Sequence, residues 1–538
     1  MNPQRPAFAT VAVLVLLLGT YLFSAGRLLL RRGPAVMGPH IEVIRFAHWQ
    51  IEPGVREAFD AIAADYMALH PNVRVQQMDV PGRAWKQWLR TSLIGESAPD
   101  LIELAAYENP DDMLARYFTP ITAALEQPNP SNADEPDLRG LSWRQSYTAE
   151  LVPVENVHYY SSNLLEYYGA PSAMVTVRVF YNRRLIKEAI GEDRPPQTFD
   201  EFVALCAALQ RRADATHEPV APFAGSWFNV TQFTDRLFSA ASQRVALTLD
   251  ISRDLEMSKV EGMINFARGR WSLTTPAIRT GLQTVEAFAR YLPPGWSQME
   301  REDAMLQFVQ GRAAMLATGT WDAGGILSQA DFAVGAFKLP AFRRDDPKYG
   351  RWTLGPLSEA NTFAGVPFGL TRTSRHPERA IDFLRFLTSR KSNAKFSRIS
   401  TWLPVIKGVP VPKVSEAFRP VEAGYIEGVN IRALAIDSNQ VVRQNLYLLS
   451  GAGSSADAFI AQTSAAFGRV FRDELDRLTR VGRETLRQKD SVLAGLYQLE
   501  QGTGLARAKF DRLAATQLAV EAERLRTLRT LADYPAKE

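Results

Sequence analysis

The sequence predicts an α/β protein of two or three domains. Its 538 residues are too many for one compact core, and 46% hydrophobic with 22% charged residues is the balance of an ordinary folded chain. Beyond residue 40, segments that alternate apolar and polar residues are followed by segments with apolar residues at helical spacing. This repeated order is typical of α/β architecture.

The first part of the chain has a strand-helix-strand-helix-strand pattern. Strands are predicted at residues 41–47, 73–80 and 100–104, with helices at 53–69 and 85–94. Right-handed crossovers place the loops after the first and third strands at the carboxyl edge of one sheet. Ligands of α/β proteins usually bind at that edge.

Strand and helix signals continue further along the chain. Thr198 and Glu201 stand three residues apart, as the two partners of a capping box do, and predict the start of a helix. Residues 376–387 have the apolar stripe of an amphipathic helix. Further strands are predicted at 174–181, 309–315, 332–339 and 363–370.

Composition argues against several classes of function. The net charge of +4 is spread through the chain, whereas nucleic-acid binders usually concentrate a basic stripe. Cys206 is the only cysteine, which excludes an internal disulfide, and we interpret it as a core residue. The six histidines form no metal-binding pair, and no phosphate loop or nucleophile elbow is present. We therefore expect no metal, no cofactor and no nucleic-acid partner.

The amino terminus predicts export or membrane attachment. Residues 7–26 carry no charge and are long enough to span a bilayer, but they also have the shape of a secretory signal with small residues at 24–26. We favour a retained anchor over a cleaved signal and expect the rest of the chain on the periplasmic or extracellular face. Arg27, Arg31 and Arg32 argue against this, because positive charges tend to stay in the cytoplasm.

The order of several segments resembles one family, the extracellular solute-binding proteins, family 1, which serve ABC importers. The resemblance covers about residues 41–472. It rests on the first strand ending in Trp49 and then, in order, on ALHPNVRV, APDLIEL, RVFYNRRLIKEA, PPQTFDEFVALCAAL, DAMLQFVQGRAAMLATGTW, AVGAFKLP, FAGVPFGLTRTSRHPERAIDFLRFLTS, WLPVIKG and NLYLLSGAGSSADAFIAQT.

This resemblance implies a two-lobed, periplasmic-binding-protein-like fold of type II. The lobes would close by hinges near 173–176 and 359–361 around a small-molecule ligand, a sugar or oligosaccharide, and hand it to ABC-transporter permease subunits. The implied divisions are 1–38 as signal or anchor helix and linker, 41–173 plus 361–393 as lobe one, 177–358 plus 394–472 as lobe two, and 473–538 as a C-terminal helical hairpin.

A cleft that holds a sugar needs flat apolar faces against the ring and fixed polar groups for its hydroxyls. Tryptophans at predicted strand ends fit the first need, and packing in a core is the alternative for each of them. Asp322 has a helix N-cap as its alternative role. The predicted ligand-binding residues are Trp49, Glu103, Tyr107, Trp227, Trp321, Asp322 and Trp402.

The chain departs from the family pattern in two places. Residues 473–538 extend beyond the usual end, and a glycine-containing break at 501–504 predicts two antiparallel helices that either pack on lobe two or dock a partner. Residues 127–170 are longer than a compact member needs. This stretch ends in two tyrosine pairs, which either cap the cleft or anchor an insert.

Two other functions are alternatives for the same sequence, a sensing module and a glycosidase. A membrane-anchored sensing module would keep the fold and the cleft but signal to a partner protein. A glycosidase would need two carboxylates placed across a sugar site. The adjacent acidic pairs at 111–112 and 345–346 are typical of solvated loops, so we expect no enzyme activity.

Overall fold

The computed structural model describes residues 41–104, 110–149, 151, 158–161, 164–360, 364–450, 453–500 and 504–534. The predicted amino-terminal span at 7–26, with its linker, and the predicted site residue Tyr107 lie outside the described residues. In the part of the chain that is described, no helix combines the length and the apolar character that a membrane crossing needs.

The described chain begins with parallel strands joined by helices. Its first elements are β1 (Glu42–His48), α1 (Val55–Leu69), β2 (Val73–Asp79), α2 (Gly82–Ile94), β3 (Leu101–Glu103), α3 (Pro110–Tyr117), β4 (Phe118–Thr119), α4 (Thr122–Leu125), β5 (Tyr160–Ser161), β6 (Glu166–Tyr167) and β7 (Gly169–Met174). β1 pairs in parallel with β2 and β3, so the loops after β1 and β3 leave the same edge of the sheet. The predicted order of strands and helices over 41–104 is confirmed.

A second sheet follows β7 after two residues. Its elements are β8 (Val177–Asn182), α5 (Arg183–Ile190), α6 (Phe199–Thr216), β9 (Ala221–Phe223), α7 (Trp227–Ala240), α8 (Gln243–Leu249), α9 (Lys259–Ala267), α10 (Pro276–Ala289), α11 (Arg301–Val309), β10 (Ala313–Gly319), α12 (Ala323–Gln329) and β11 (Val334–Phe337). The strands run in the order β11-β8-β10-β9. The capping box of α6 is confirmed, because the Thr198 hydroxyl accepts from Glu201 N and the Glu201 carboxylate accepts from Thr198 N, both at 3.3 Å.

Two predicted strands differ from the structure. The single run predicted at 174–181 is broken at Val175 and Thr176, where the chain passes from one sheet to the other. The strand predicted at 309–315 starts too early, because Val309 ends α11 and Gly311, with φ of 69°, turns the chain into β10.

The chain then returns to the first sheet and ends in long helices. The remaining elements are β12 (Ala364–Thr371), α13 (Pro377–Leu387), α14 (Arg390–Ser400), α15 (Ser438–Asn445), α16 (Tyr447–Ser450), α17 (Ala456–Glu500) and α18 (Gly504–Asp533). Short 3-10 helices lie at Pro130–Asn132, Arg144–Ser146, Trp296–Gln298, Thr320–Asp322 and Lys413–Phe418. The first sheet has the order β2-β1-β3-β12-β4, and β7 also pairs with β12. We call the parts built on the first and second sheets lobe one and lobe two.

The boundary placed at residue 393 between the lobes is wrong by about a dozen residues. α14 continues to Ser400 and packs on α1. Phe396, Trp402 and Ile406 are then buried in the same core as the strands of lobe one. Leu403 already packs on lobe-two residues, but the chain leaves the core of lobe one only after residue 406.

The carboxyl-terminal helices form the predicted antiparallel hairpin, but α17 begins earlier than residue 473. Its first turns contribute Phe459 and Phe467 to the core of lobe two. Further out, α17 pairs with α18, and the ring centroids of Tyr497 and Phe510 lie 5.8 Å apart.

A buried ion pair lies where the chain segments cross between the lobes. Arg178, in β8, donates from both terminal nitrogens to the two carboxylate oxygens of Glu359, each at 2.9 Å. The two residues are 1% and 6% exposed. Arg178 also donates to the carbonyl oxygens of Ala417 at 2.7 Å and Arg419 at 2.7 Å. One guanidinium thus ties together three segments that are far apart in sequence.

The charge state of Glu359 follows from these contacts. Burial disfavours its charged form, but the hydrogen bonds and charge of Arg178, with help from Val421 N and Arg236, hold the pKa of Glu359 below its usual value. Glu359 therefore stays ionised, and each partner prevents the other from being an unpaired buried charge.

Glu359→Gln is expected to lower the free energy of unfolding at pH 7 by about 3–5 kcal/mol, because Arg178 keeps its charge and loses its partner. The lowered pKa of Glu359 means that its contribution is present above the ordinary glutamate pKa and is lost as the pH falls through the lower folded value. Denaturant unfolding should therefore show a steeper loss of stability in acid for the unmodified chain than for the variant.

Glu416→Gln is the control for this prediction. Its side chain is 49% exposed and pairs with Arg419 on the same crossing segment. We expect little or no change in the free energy of unfolding, because water screens this exposed pair. Equal losses for the two variants would contradict the account of the buried pair.

Candidate functional site

The two lobes meet beside the loop that follows β1. A Cβ built at Gly324, in α12 of lobe two, would lie 3.5 Å from the carbonyl oxygen of Pro53 and 3.8 Å from that of Ser400. Pro53 and Ser400 both belong to lobe one. The carboxyl edge of the first sheet therefore faces the start of α12. The candidate site consists of the residues that surround this contact.

Three charged side chains form a cluster across this junction. Arg301, the first residue of α11, forms a close ion pair with Asp322 and lies 3.6 Å from Glu52 of lobe one. The Thr318 hydroxyl donates to Asp322 at 2.5 Å and fixes the carboxylate from the end of β10. We call Glu52, Arg301 and Asp322 the interlobe charge cluster.

Burial sets the charge states within the cluster. Burial raises the pKa of Glu52 above its usual value, and the charge of Asp322 adds to this while Arg301 opposes it. For Arg301, burial alone would lower the pKa, but the charges of Asp322 and Glu52 outweigh it and raise the pKa. The guanidinium thus stays charged, and Glu52 is protonated more easily than an exposed glutamate.

Aromatic rings adjoin the cluster on the side of lobe two. The centroids of Phe228 and Trp321 are 6.2 Å apart in an edge-to-face arrangement, and the Arg301 guanidinium lies 5.4 Å from the centroid of Phe228. The ring of Trp321 covers Gly319, where a Cβ would come within 2.2–2.4 Å of three indole atoms. Only glycine at position 319 allows this ring position.

Several polar atoms at the junction have no hydrogen-bond partner among the described residues. They are Glu52 Oε2, Trp321 Nε1 and Thr401 Oγ1, and all three are buried. An unpaired buried polar group costs roughly 1–3 kcal/mol. Groups of this kind are usually satisfied by a ligand or by ordered water.

The structure brings together two of the predicted ligand-binding residues, Trp321 and Asp322. Trp49 and Glu103 lie next to the site, on the lobe-one side. Glu103 is fully buried and accepts hydrogen bonds from Gln50 Nε2 at 2.6 Å and Trp49 N at 3.2 Å. Burial raises the pKa of Glu103 well above its usual value. In this conformation Glu103 holds the loop after β1, and the ring of Trp49 packs 5.1 Å from that of Trp85.

Trp227 and Trp402 are not part of this arrangement. Trp402 is 2% exposed and packs against Phe396 in the core of lobe one, which was the alternative to a ligand contact for this residue. Trp227 lines a separate apolar cavity of about 40 Å³ in lobe two, and the Arg443 guanidinium lies 5.6 Å from its ring. Trp227 and Phe228 are consecutive on α7 and point about 100° apart, which explains why Phe228 is the one that reaches Trp321.

Sequence reasoning missed Glu52, Phe228 and Arg301. Glu52 stands on the predicted loop after β1, but a single glutamate in a loop gives no signal that separates a ligand contact from a solvated side chain. Arg301 and Asp322 are 21 residues apart and meet only through the packing of α11 on β10. No spacing in the sequence marks that pair.

The side chains at the junction of the lobes are of kinds that can bind a ligand. Among the described residues, no group of three or more histidine, cysteine or acidic side chains could hold a metal ion. The site offers one cation, two carboxylates, and the faces of two aromatic rings. These groups can accept from and donate to the hydroxyls of a ligand and cover its apolar faces.

Comparison with known proteins gives a consistent result. The family model described as bacterial extracellular solute-binding protein matches residues 52–394. An uncharacterized ABC transporter extracellular-binding protein of Pyrococcus horikoshii is 22% identical over 396 residues, which cover 72% of this chain and 76% of the relative.

Solved structures share the fold at low sequence identity. A chitin oligosaccharide binding protein aligns with a TM-score of 0.55 and 17% identity, over 80% of this chain and 99% of its own. The apo form of RafE from Streptococcus pneumoniae aligns with a TM-score of 0.56 and 16% identity, over 81% and 99%. RafE in complex with raffinose aligns with a TM-score of 0.54 and 16% identity, over 80% and 99%. These likenesses show a two-lobed α/β fold.

Gly319→Ala tests the placement of Trp321. The added methyl group must displace the indole, and we expect a loss of about 1–3 kcal/mol in the free energy of unfolding together with a changed near-ultraviolet circular dichroism spectrum. Gly82→Ala is the control, because a Cβ at Gly82 meets no atom within 4 Å. An unchanged spectrum for Gly319→Ala would mean that the ring does not lie over Gly319.

Proposed function

The chain belongs to the bacterial extracellular solute-binding protein family, and from that premise we propose that it captures a carbohydrate between its lobes by hinge closure and delivers it to an ABC importer. Membership of the family by itself gives the general class of the protein. The protein is a solute-binding protein of the ABC transporter class, located outside the cytoplasm, and not an enzyme. The family match favours transport over the sensory alternative.

The interlobe charge cluster is the observation that carries the proposal. Glu52 comes from lobe one, and Arg301 and Asp322 come from lobe two, so a ligand that touches all three bridges the lobes. A ligand shifts a two-state equilibrium only by its differential affinity for the two states. The ligand can contact residues of both lobes only when the lobes are together. These contacts therefore give it a higher affinity for the closed form.

The polar and aromatic groups of the site support a carbohydrate as the ligand. The unpartnered Glu52 Oε2 can accept a hydrogen bond from a hydroxyl, and the unpartnered Trp321 Nε1 can donate one. The rings of Trp321 and Phe228 offer apolar faces of the kind that cover the C–H surface of a sugar. Structural neighbours described as a chitin oligosaccharide binding protein and as RafE in complex with raffinose support the same class.

Attachment to a membrane remains part of the proposal. It rests on the uncharged segment 7–26, which lies outside the described residues. Delivery to the permease subunits of an importer follows from the family and from the extracellular-binding relative.

A thermal-shift screen against mono- and oligosaccharides, followed by calorimetric titration, tests the ligand class. A ligand at one hundred times its dissociation constant should add about 2.7 kcal/mol to the free energy of unfolding. Trp321→Ala should remove most of this gain while the ligand-free variant stays folded. If no carbohydrate stabilises the protein and an organic anion does, the carbohydrate proposal is wrong.

Tyr447→Ala is the matched control for Trp321→Ala. Tyr447 is an aromatic residue of lobe two that is 62% exposed and lies on α16, away from the cluster. We expect it to leave the ligand affinity unchanged. Equal losses of affinity in both variants would show that the effect of Trp321→Ala is not local to the site.

A further inference from the structure

The carboxyl-terminal hairpin of α17 and α18 is rooted in lobe two. Phe459, Phe467 and Phe471 of α17 are fully or almost fully buried in the lobe-two core. Near the carboxyl end of α18, Leu531 packs on the same core, and Arg268, which directly follows α9, donates to the Thr530 hydroxyl at 3.2 Å. The base of the hairpin therefore moves with lobe two.

The tip of the same hairpin contacts lobe one. Lys509, in the second turn of α18, lies with its Nζ 2.5 Å from Glu166 Oε1, and Glu166 belongs to β6. Glu166 is itself held in lobe one, because its other carboxylate oxygen accepts a short hydrogen bond from the Thr122 hydroxyl. The neighbouring Tyr167 is buried in the lobe-one core and donates from its backbone N to the same hydroxyl at 2.9 Å.

The hairpin can transmit force between these two contacts. Lys509 and Thr530 are separated by 21 residues of continuous helix, which correspond to about 32 Å. α17 supports α18 along this length, for example through Asp490, which accepts from Gln517 Nε2 at 2.6 Å. Two paired helices are stiffer than one, so a change in the angle between the lobes must appear at the tip.

We propose that the hairpin is a strut between the lobes, and that Lys509 and Glu166 are positioning residues that favour the arrangement in which the lobes touch. This inference rests on the proposed closure of the lobes. In the same arrangement Arg301 lies 3.6 Å from Glu52 across the cleft. Opening at the hinge separates both pairs, so the Lys509–Glu166 pair stabilises the ligand-binding form without touching the ligand.

The exposure of the Lys509 and Glu166 side chains sets how far their ion pair can shift the closure equilibrium. The side chains of Lys509 and Glu166 are 37% and 18% exposed, so the pair is partly shielded from water but not buried. Pairs of this kind shift an equilibrium by up to about five-fold, and salt weakens them. The strut therefore adjusts the closure equilibrium and does not lock it.

Distances between spin labels on the two lobes of the ligand-free full chain test the strut. Arg74→Cys in lobe one and Arg211→Cys in lobe two supply exposed labelling positions, and Cys206 is fully buried and stays unlabelled. Lys509→Gln should move the distance distribution towards longer separations. Lys509→Arg should keep the original distribution, because it keeps the charge.

A double-mutant cycle separates the pair from other contacts of Glu166. If the two residues act through each other, Lys509→Gln and Glu166→Gln together should change the distribution by less than the sum of the single effects. Arg529→Gln is the control, since Arg529 pairs with Asp533 at 3.3 Å on α18 itself and makes no bridge between the lobes. An unchanged distribution in Lys509→Gln, or an equal change in Arg529→Gln, would overturn the proposal.

The ligand-free readout keeps this test apart from the proposed function. If no carbohydrate binds but the labels move apart in Lys509→Gln, the ligand class is wrong and the strut is supported. If a carbohydrate binds and Lys509→Gln alters neither the distances nor the affinity, the strut is wrong and the proposed function stands. With a bound carbohydrate, Lys509→Gln should raise the Kd by up to about five-fold.

Discussion

The buried pair of Arg178 and Glu359 is the constraint on which the arrangement of the lobes depends. From its place on β8, the guanidinium of Arg178 contacts the segments that carry Glu359 and Ala417. Because the pair is almost fully buried, removing either partner leaves the other as an unpaired buried charge, which costs a large free energy. In the proposed closure, the crossing point stays fixed while the lobes on either side rotate about it.

The position of the crossing point determines which contacts between the lobes change in the proposed closure. Groups close to the pivot move little, whereas groups further away separate when the lobes open. Glu52 and Arg301 stand on opposite lobes, and so do Glu166 and Lys509 at the outer surface. The proposed hinge motion would therefore separate both pairs, one at the proposed ligand site and one between the hairpin and lobe one.

The sequence predicts the fold better than the site, for physical reasons. Alternation and helical spacing report local burial, so the strands and helices of the first lobe and the capping box at Thr198 are predicted correctly. Trp321 and Asp322 follow a strand and lie at the junction of the lobes, whereas Trp402 follows a helix and packs in the core. Arg301 joins Asp322 only after α11 packs against β10, and long-range packing of this kind leaves no local pattern.

A crystal structure of the protein with a carbohydrate from the screen tests the central claim most directly. The account predicts ligand oxygens within hydrogen-bond distance, about 2.6–3.2 Å, of Glu52 on lobe one and of Arg301, Asp322 or Trp321 on lobe two. A ligand that contacts one lobe only, or that lies in the cavity beside Trp227, would contradict it.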